Sequence, residues 1–134
     1  MTVRDQNSER GLCLILEDNW LIAAGLADQV SKQGFTQVET LGTCDDALAF
    51  LEKIAPARPD LVILDVSIGS NETSLPVAQR LSQSAVPFFI ISGHGANNEV
   101  TAAFPDAITL QKPVQDGHLA ATLDEAFGPQ PSMN

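Results

Sequence analysis

The sequence has few cysteines and no long apolar run, and each shortage excludes a class of protein. Only two cysteines, Cys13 and Cys44, occur in 134 residues, without the paired C-x-x-C spacing of zinc or redox sites. No apolar run approaches the roughly 20 residues needed to cross a bilayer, and the start, MTVRDQNSERG, lacks the apolar centre of a secretory signal. We therefore expect a cytoplasmic protein with two small, buried or half-buried thiols.

Basic residues are also scarce. The chain has 7 Lys and Arg against 17 Asp and Glu, a formal net charge of -10. This charge repels nucleic-acid phosphates and anionic lipids, so we expect no direct nucleic-acid partner and no membrane partner. The length fits one domain, which we expect over residues 11–127, with flexible ends at 1–10 and 128–134. Any output would then pass through another protein.

Five segments have the pattern of β-strands. Residues 12–16 (LCLIL), 61–64 (LVIL) and 87–92 (PFFIIS) are continuous apolar runs, rich in branched or aromatic residues. Such runs are typical of strands buried on both faces of a parallel sheet. Residues 35–40 alternate weakly, and residues 108–110 give a short last strand.

Helical patterns lie between these strands. Residues 20–33 have helical spacing and stop at Gly34, a capping pattern from Thr43 opens a helix through residue 54, and further helices are predicted at 77–82 and 118–127. Residues 97–104 favour only a short or mobile fourth helix, because two asparagines, a Val-Thr pair and Pro105 weaken it. Five βα repeats predict a doubly wound α/β parallel sheet with helices on both faces. The polar segment SIGSNETS after Asp65 is expected to be a loop.

Polar residues follow the predicted strands where ligands bind in such a sheet. Glu17 and Asp18 end the first strand, Asp65 the third and Ser92 the fourth, and Lys112 follows the fifth. Three carboxylates in one crevice repel each other unless a cation neutralises them, and Mg²⁺ accepts such oxygen ligands. Asp65 can then act as a nucleophile in phosphoryl transfer, with positive charge from Lys112 and a hydrogen bond from the Ser92 hydroxyl.

The motifs LILEDN, VILDVS, FIISG and QKP, in this order, resemble the receiver domains of bacterial two-component signalling, over roughly residues 12–127. The resemblance implies a flavodoxin-like (βα)5 sheet with strand order 2-1-3-4-5. It also implies that Asp65 is the phosphoacceptor, that Asp18 is a direct Mg²⁺ ligand, that Glu17 acts through water and that the Ser67 carbonyl is a third protein ligand.

The same resemblance implies roles for two further residues. Lys112 would bind the phosphoryl group and Ser92 would be the switch hydroxyl. The partners would be a sensor histidine kinase and a downstream target or phosphotransfer protein. The chain would be a stand-alone phosphoacceptor that assists its own phosphorylation and dephosphorylation in a phosphorelay, rather than a turnover enzyme.

Two stretches depart from the usual receiver pattern. Most receivers have an aromatic residue three positions before the lysine, where this chain has Thr109, a candidate switch position. Residues 87–95 (PFFIISGHG) resemble the motif of the FATGUY subgroup in their Pro-Phe start and their glycines. His94 lies between two of those glycines and is either a pH-sensitive switch or a loop histidine half in solvent. Trp20, the only tryptophan, is expected to be a partly exposed anchor of the first helix.

Three other interpretations account for the same strand pattern and acidic residues. A pseudo-receiver would have this fold and bind proteins without productive phosphorylation. A Mg²⁺-dependent aspartyl-phosphate phosphatase would need a second acid near the nucleophile, where Ser67 stands. A flavin- or nucleotide-binding domain would need a glycine loop after the first strand, where Glu17 and Asp18 have the opposite charge.

Overall fold

Strands and helices alternate along the chain in the computed structural model, which describes residues 10–69, 72–93 and 98–128. The described elements are, in order, β1 (Gly11–Leu16), α1 (Trp20–Lys32), β2 (Phe35–Leu41), α2 (Cys44–Ile54), β3 (Leu61–Asp65), β4 (Ser67–Ile68), β5 (Glu72–Thr73), α3 (Leu75–Gln83), β6 (Phe88–Ser92), α4 (Glu99–Ala103), β7 (Ile108–Gln111) and α5 (Asp116–Phe127). Among these helices, none is long and apolar enough to cross a membrane.

Five of the strands form one parallel sheet in the order β2-β1-β3-β6-β7. With β6 and β7 as the fourth and fifth predicted strands, this is the order 2-1-3-4-5. The flavodoxin-like, doubly wound fold is therefore confirmed. Because all five strands are parallel, their carboxyl ends lie along one edge of the sheet, where ligands bind in this architecture.

Helices cover both faces of the sheet, and a separate apolar cluster fills each interface. On one face, strand residues such as Ile63 pack against Leu26 of α1 and Leu119 of α5. On the other, residues such as Leu64 pack against α2, α3 and α4. The central strands are buried on both sides, which explains why β1, β3 and β6 read as continuous apolar runs.

The helix starts follow local capping. Asn19 Oδ1 accepts hydrogen bonds from the N–H groups of Leu21 and Ile22 at 3.0 and 3.1 Å, and Thr43 Oγ1 accepts one from Asp46 N at 3.0 Å. Helix α4 has only 5 residues, as the sequence indicates. Helices α3 and α5 each begin two residues before their predicted starts.

The segment after Asp65 differs from its prediction. Instead of a loop, it contains the antiparallel strands β4 and β5, with Ser67 opposite Thr73 and Ile68 opposite Glu72. We call these two strands the β4–β5 hairpin. The reason for the difference is Ile68, an apolar side chain in a polar stretch, which is 2% exposed and packs into the core.

The first described residue is held firmly to the rest of the fold. The Arg10 guanidinium donates to Asp124 Oδ1 and to the Gly128 carbonyl, both at 3.0 Å, and Arg10 N donates to the Gly34 carbonyl at 2.7 Å. The contacts join the start of β1 to the end of α5. The predicted flexible ends otherwise fall on residues 1–9 and 129–134, outside the described residues.

Candidate functional site

Three carboxylates converge at the carboxyl edge of the sheet. One oxygen from each of Glu17, Asp18 and Asp65 lies within 4.8 Å of the others. Glu17 and Asp18 follow β1, and Asp65 is the last residue of the neighbouring strand β3, so the parallel pairing of these strands brings the three together. We call this cluster the acidic pocket. Glu17 and Asp65 are buried, whereas Asp18 is exposed.

Lys112 supplies a positive charge to the acidic pocket. Its Nζ lies 2.7 Å from Asp65 Oδ2 and 2.9 Å from Glu17 Oε1. The lysine directly follows β7, and its N–H donates to the Ser92 carbonyl at 2.9 Å, which fixes the end of β7 against β6. One ammonium group faces three carboxylates, so the pocket keeps an excess of negative charge that a cation would neutralise.

Burial and pairing act in opposite directions on two of these groups. Burial raises the pKa of Glu17 above its ordinary value, although the Lys112 ammonium and the Asn19 N–H partly offset this. Burial alone would lower the pKa of Lys112, but hydrogen bonds to Asp65 and Glu17 outweigh it and leave that pKa above its ordinary value. Lys112 is therefore charged at neutral pH.

Ser92 lies beside Asp65 on the neighbouring strand. Asp65 is paired with Ile91 in the sheet, and Ser92 is the next residue of β6 and its last. The side chain is 7% exposed. Ser67 begins β4, two residues after Asp65, so its backbone also lies beside the phosphoacceptor candidate.

Sequence reasoning missed one contact of the acidic pocket. Gly69 N–H, directly after β4, donates to Asp18 Oδ2 at 3.1 Å. Gly69 has φ +74, a left-handed conformation that suits glycine, and a Cβ there would meet open space. The glycine in a polar segment after Asp65 is the only signal in the sequence, because a backbone N–H leaves no trace in residue type.

Of the two candidate switch residues, the structure describes Thr109 but not His94. Thr109 is exposed on β7 and lines a surface cavity of about 670 Å³ with Asn98, Glu99 and other residues around α4. His94 lies outside the described residues, so its predicted role stays a prediction.

An exposed apolar surface lies beside the pocket. Trp20, Leu21 and Ile22, the first residues of α1, are 79%, 65% and 37% exposed. The prediction that Trp20 anchors α1 is therefore wrong: the helix is held by buried residues further along, such as Leu26. Ile22 also lines a cavity of about 500 Å³ that includes Lys112. We call Trp20, Leu21 and Ile22 the α1 patch.

The donor chemistry of the acidic pocket fits a hard divalent cation. Its atoms are carboxylate oxygens, the ligands that Mg²⁺ binds while keeping several waters. The exposure of Asp18 leaves a path to solvent for the ion and its waters. Residues of this type and spacing could hold Mg²⁺.

Comparisons with known proteins agree with this geometry. The family model described as the response regulator receiver domain matches residues 13–124. The solution structure of SdrG from Sphingomonas melonis Fr1 is 36% identical, with a TM-score of 0.71, and the match covers 84% of this chain and 92% of that one. A response regulator receiver protein from Burkholderia phymatum is 25% identical, with a TM-score of 0.76, over 89% of this chain and 96% of the other.

A curated relative adds a fact about length. The transcriptional regulatory protein YpdB of Escherichia coli K12 is 30% identical over 114 residues, which are 84% of this chain but 46% of that protein. The chain thus spans less than half the length of this relative. The family match, the sheet order and the acidic pocket with Lys112 agree, and the chain belongs to the response regulator receiver domain family.

Proposed function

We propose that this chain accepts a phosphoryl group from a histidine kinase onto Asp65 in a Mg²⁺-dependent reaction. The observation that carries the proposal is the Lys112 ammonium, 2.7 Å from Asp65 Oδ2 within a cluster of three carboxylates. A lysine held there places positive charge where the oxygens of an arriving phosphoryl group would lie. The chain would act as a signalling phosphoacceptor and not as a turnover enzyme.

The proposed reaction forms one bond and breaks one bond, and two side chains of the chain assist it. A carboxylate oxygen of Asp65 attacks phosphorus, and the new O–P bond forms as the P–N bond of a phosphohistidine breaks. The bonding electron pair stays on the imidazole nitrogen, which then takes a proton. Lys112 pairs with one phosphoryl oxygen, and the Ser92 hydroxyl donates a hydrogen bond to another.

The acidic pocket and its neighbours would hold the cation. Asp18 and Asp65 would bind Mg²⁺ directly, the Ser67 carbonyl would be a third protein ligand, and Glu17 would act through a water molecule. When bound, the ion would neutralise charge on the carboxylates and on the transferring group. Asp18 is the exposed member of the cluster and therefore the first that an ion from solvent meets.

The α1 patch supports the kinase as the donor. One of its residues, Ile22, lines the same cavity as Lys112, so a protein that covers Ile22 also comes close to the acidic pocket. Exposed apolar groups beside a reactive site are typical of a protein-binding surface. Phosphorylation would then change the surface read by a downstream target, or pass the group onward as a shuttle or sink.

The test uses the chain with Mg²⁺ and acetyl phosphate, followed by intact mass. We expect an increase of one phosphoryl group that requires Mg²⁺ and is absent from Asp65→Asn. The matched control is Asp60→Asn, which changes a carboxylate at the opposite end of β3, paired with Leu12 N, and should still be phosphorylated.

Other outcomes would contradict the proposal in distinct ways. No mass increase with either acetyl phosphate or a phosphorylated kinase, in a folded protein, would favour the pseudo-receiver. Steady release of many equivalents of phosphate per chain would favour the phosphatase instead.

A further inference from the structure

We infer that the β4–β5 hairpin carries the state of the acidic pocket to helix α4, through Asp18, Gly69, Thr73 and Glu99. The inference rests on the proposed function, because it assigns the consequence of occupying the same pocket. Two hydrogen bonds, one at each end of the hairpin, form this route.

The first hydrogen bond joins the hairpin to the pocket. Gly69 N–H donates to Asp18 Oδ2 at 3.1 Å, directly after β4. A hydrogen bond from a backbone N–H to a carboxylate depends on where the carboxylate points. A ligand that reorients the Asp18 carboxylate therefore changes the geometry of its hydrogen bond with Gly69.

The second hydrogen bond joins the hairpin to α4. Thr73 Oγ1, on β5, donates to Glu99 Oε1, the side chain of the first residue of α4. The same end of the helix is capped by Asn98 Oδ1, which accepts from Thr101 N at 2.9 Å. A helix of 5 residues has little stability of its own. Its position therefore depends on such side-chain contacts and on the core beneath it.

The two strands of the hairpin are joined to each other and packed on the core. Ser67 pairs with Thr73 across its two strands, and Ile68 is buried in the same apolar cluster as Val100 of α4. Cys44 Sγ, at the start of α2, donates to the Thr73 carbonyl at 3.3 Å. Thr73 thus forms hydrogen bonds with both α2 and α4.

Occupation of the pocket would act on both strands of the hairpin. A cation on Asp18 would displace Gly69, which follows β4. A phosphoryl group on Asp65 would displace Ser67, two residues later, where β4 begins. Both displacements would reach Thr73 through the pairing of β4 with β5. This gives α4 a link to the pocket that does not use residue 109, where a threonine stands exposed on β7.

The test compares amide signals with and without Mg²⁺ and beryllofluoride, a phosphoryl mimic, by NMR. In the wild-type chain we expect shifts and altered hydrogen exchange at the Gly69 amide and at the amides of α4. Thr73→Val has the same shape without the hydroxyl, so the Gly69 response should remain while the α4 response is largely lost. Thr73→Ser restores the hydroxyl and should restore the α4 response.

Two further measurements keep the outcomes distinct. Thr36→Val makes the same chemical change at an exposed position of β2 and should respond like wild type. The fluorescence of Trp20, two residues after Asp18, reports ligand binding separately, and its midpoint should change less than twofold in Thr73→Val. An undiminished α4 response in Thr73→Val, or no α4 response in the wild type, would overturn the inference while leaving phosphorylation intact. Failure of the mimic to bind at all would count against both proposals.

Discussion

At the scale of single residues, Lys112 is the charge on which the acidic pocket depends in the metal-free protein. Its side chain is 22% exposed and contacts two buried carboxylates. Removing one partner of a buried ion pair leaves uncompensated charge, which costs about 3–5 kcal/mol when burial is complete. Because this ammonium is partly solvated, we expect Lys112→Met to lower the free energy of unfolding by about 1–2 kcal/mol.

The measurement is urea unfolding without a divalent cation and again with saturating Mg²⁺. We expect Mg²⁺ to recover part of the loss, because the cation replaces the missing positive charge. The control is Lys32→Met, whose ion pair with Asp28 is exposed on α1 and should contribute little to stability, because water and salt screen it. Equal effects in the two variants would show that Lys112 does not stabilise the pocket.

Cys44 gives a prediction about pH. Burial, followed by the negative charge of the nearby Glu72 carboxylate, raises the pKa of this thiol from 9.0 to about 12. A raised pKa means that less of the reactive thiolate is present at pH 8 than for an unperturbed thiol. Burial raises the pKa of Cys13 to about 12 as well.

Thiol labelling kinetics check this expectation. In the folded protein at pH 8 we expect both cysteines to react very slowly and to react at ordinary rates in urea. A Cys13→Ser variant isolates Cys44. Fast labelling of Cys44 in the native chain would mean that the contact between α2 and the β4–β5 hairpin is open in solution.

Several residues of the site could be predicted from the sequence, whereas Gly69 could not. Glu17, Asp18, Asp65 and Lys112 stand at strand ends, so the strand pattern alone places them on one edge. The hydrogen bond from Gly69 to Asp18 is made by a backbone N–H that every residue type except proline has.

At the scale of secondary-structure elements, the pattern of apolar residues was sufficient to predict an element whose side chains are buried on one face or on both. The strands β1, β3 and β6 are buried on both faces and read directly as apolar runs. The β4–β5 hairpin was missed because two-residue strands are too short for any periodicity. Ile68, the one buried residue of these two strands, is the only residue in them that indicates packing against the core.

Helix α1 supplies the prediction at this scale. If the α1 patch binds the kinase, Ile22→Ala should slow phosphoryl transfer from a phosphorylated kinase by about tenfold, equivalent to ~1.4 kcal/mol of binding. Transfer from acetyl phosphate should not change, because this small donor does not need the patch. The two rates are measured by intact mass over time.

The chain offers a closely matched control. Ile108, at the start of β7, is 37% exposed, as Ile22 is, but lies at the opposite end of the sheet. Ile108→Ala should transfer at the wild-type rate from both donors. A similar loss in both variants, or a loss with acetyl phosphate, would mean that Ile22 acts through stability and not through docking.

At the scale of the whole molecule, the sheet order followed from the family resemblance, but the long-range polar contacts did not. The Arg10 side chain reaches Asp124 and Gly128, at the far end of the chain. Such pairs have no local pattern, because residues more than a hundred positions apart meet only once the sheet is assembled.

The proposed function depends on Asp65, because the fold, the acidic pocket and Lys112 all favour it as the phosphoacceptor. An acyl phosphate on an aspartate is reduced by borohydride to homoserine, which marks the modified position permanently. We would treat the Mg²⁺- and acetyl phosphate-loaded chain with borohydride, digest it and identify homoserine by mass spectrometry. Homoserine at position 65, present only when Mg²⁺ is supplied, is the predicted result. Homoserine at another carboxylate, or at none while the mass of the intact chain still increases, would contradict Asp65 as the phosphoacceptor.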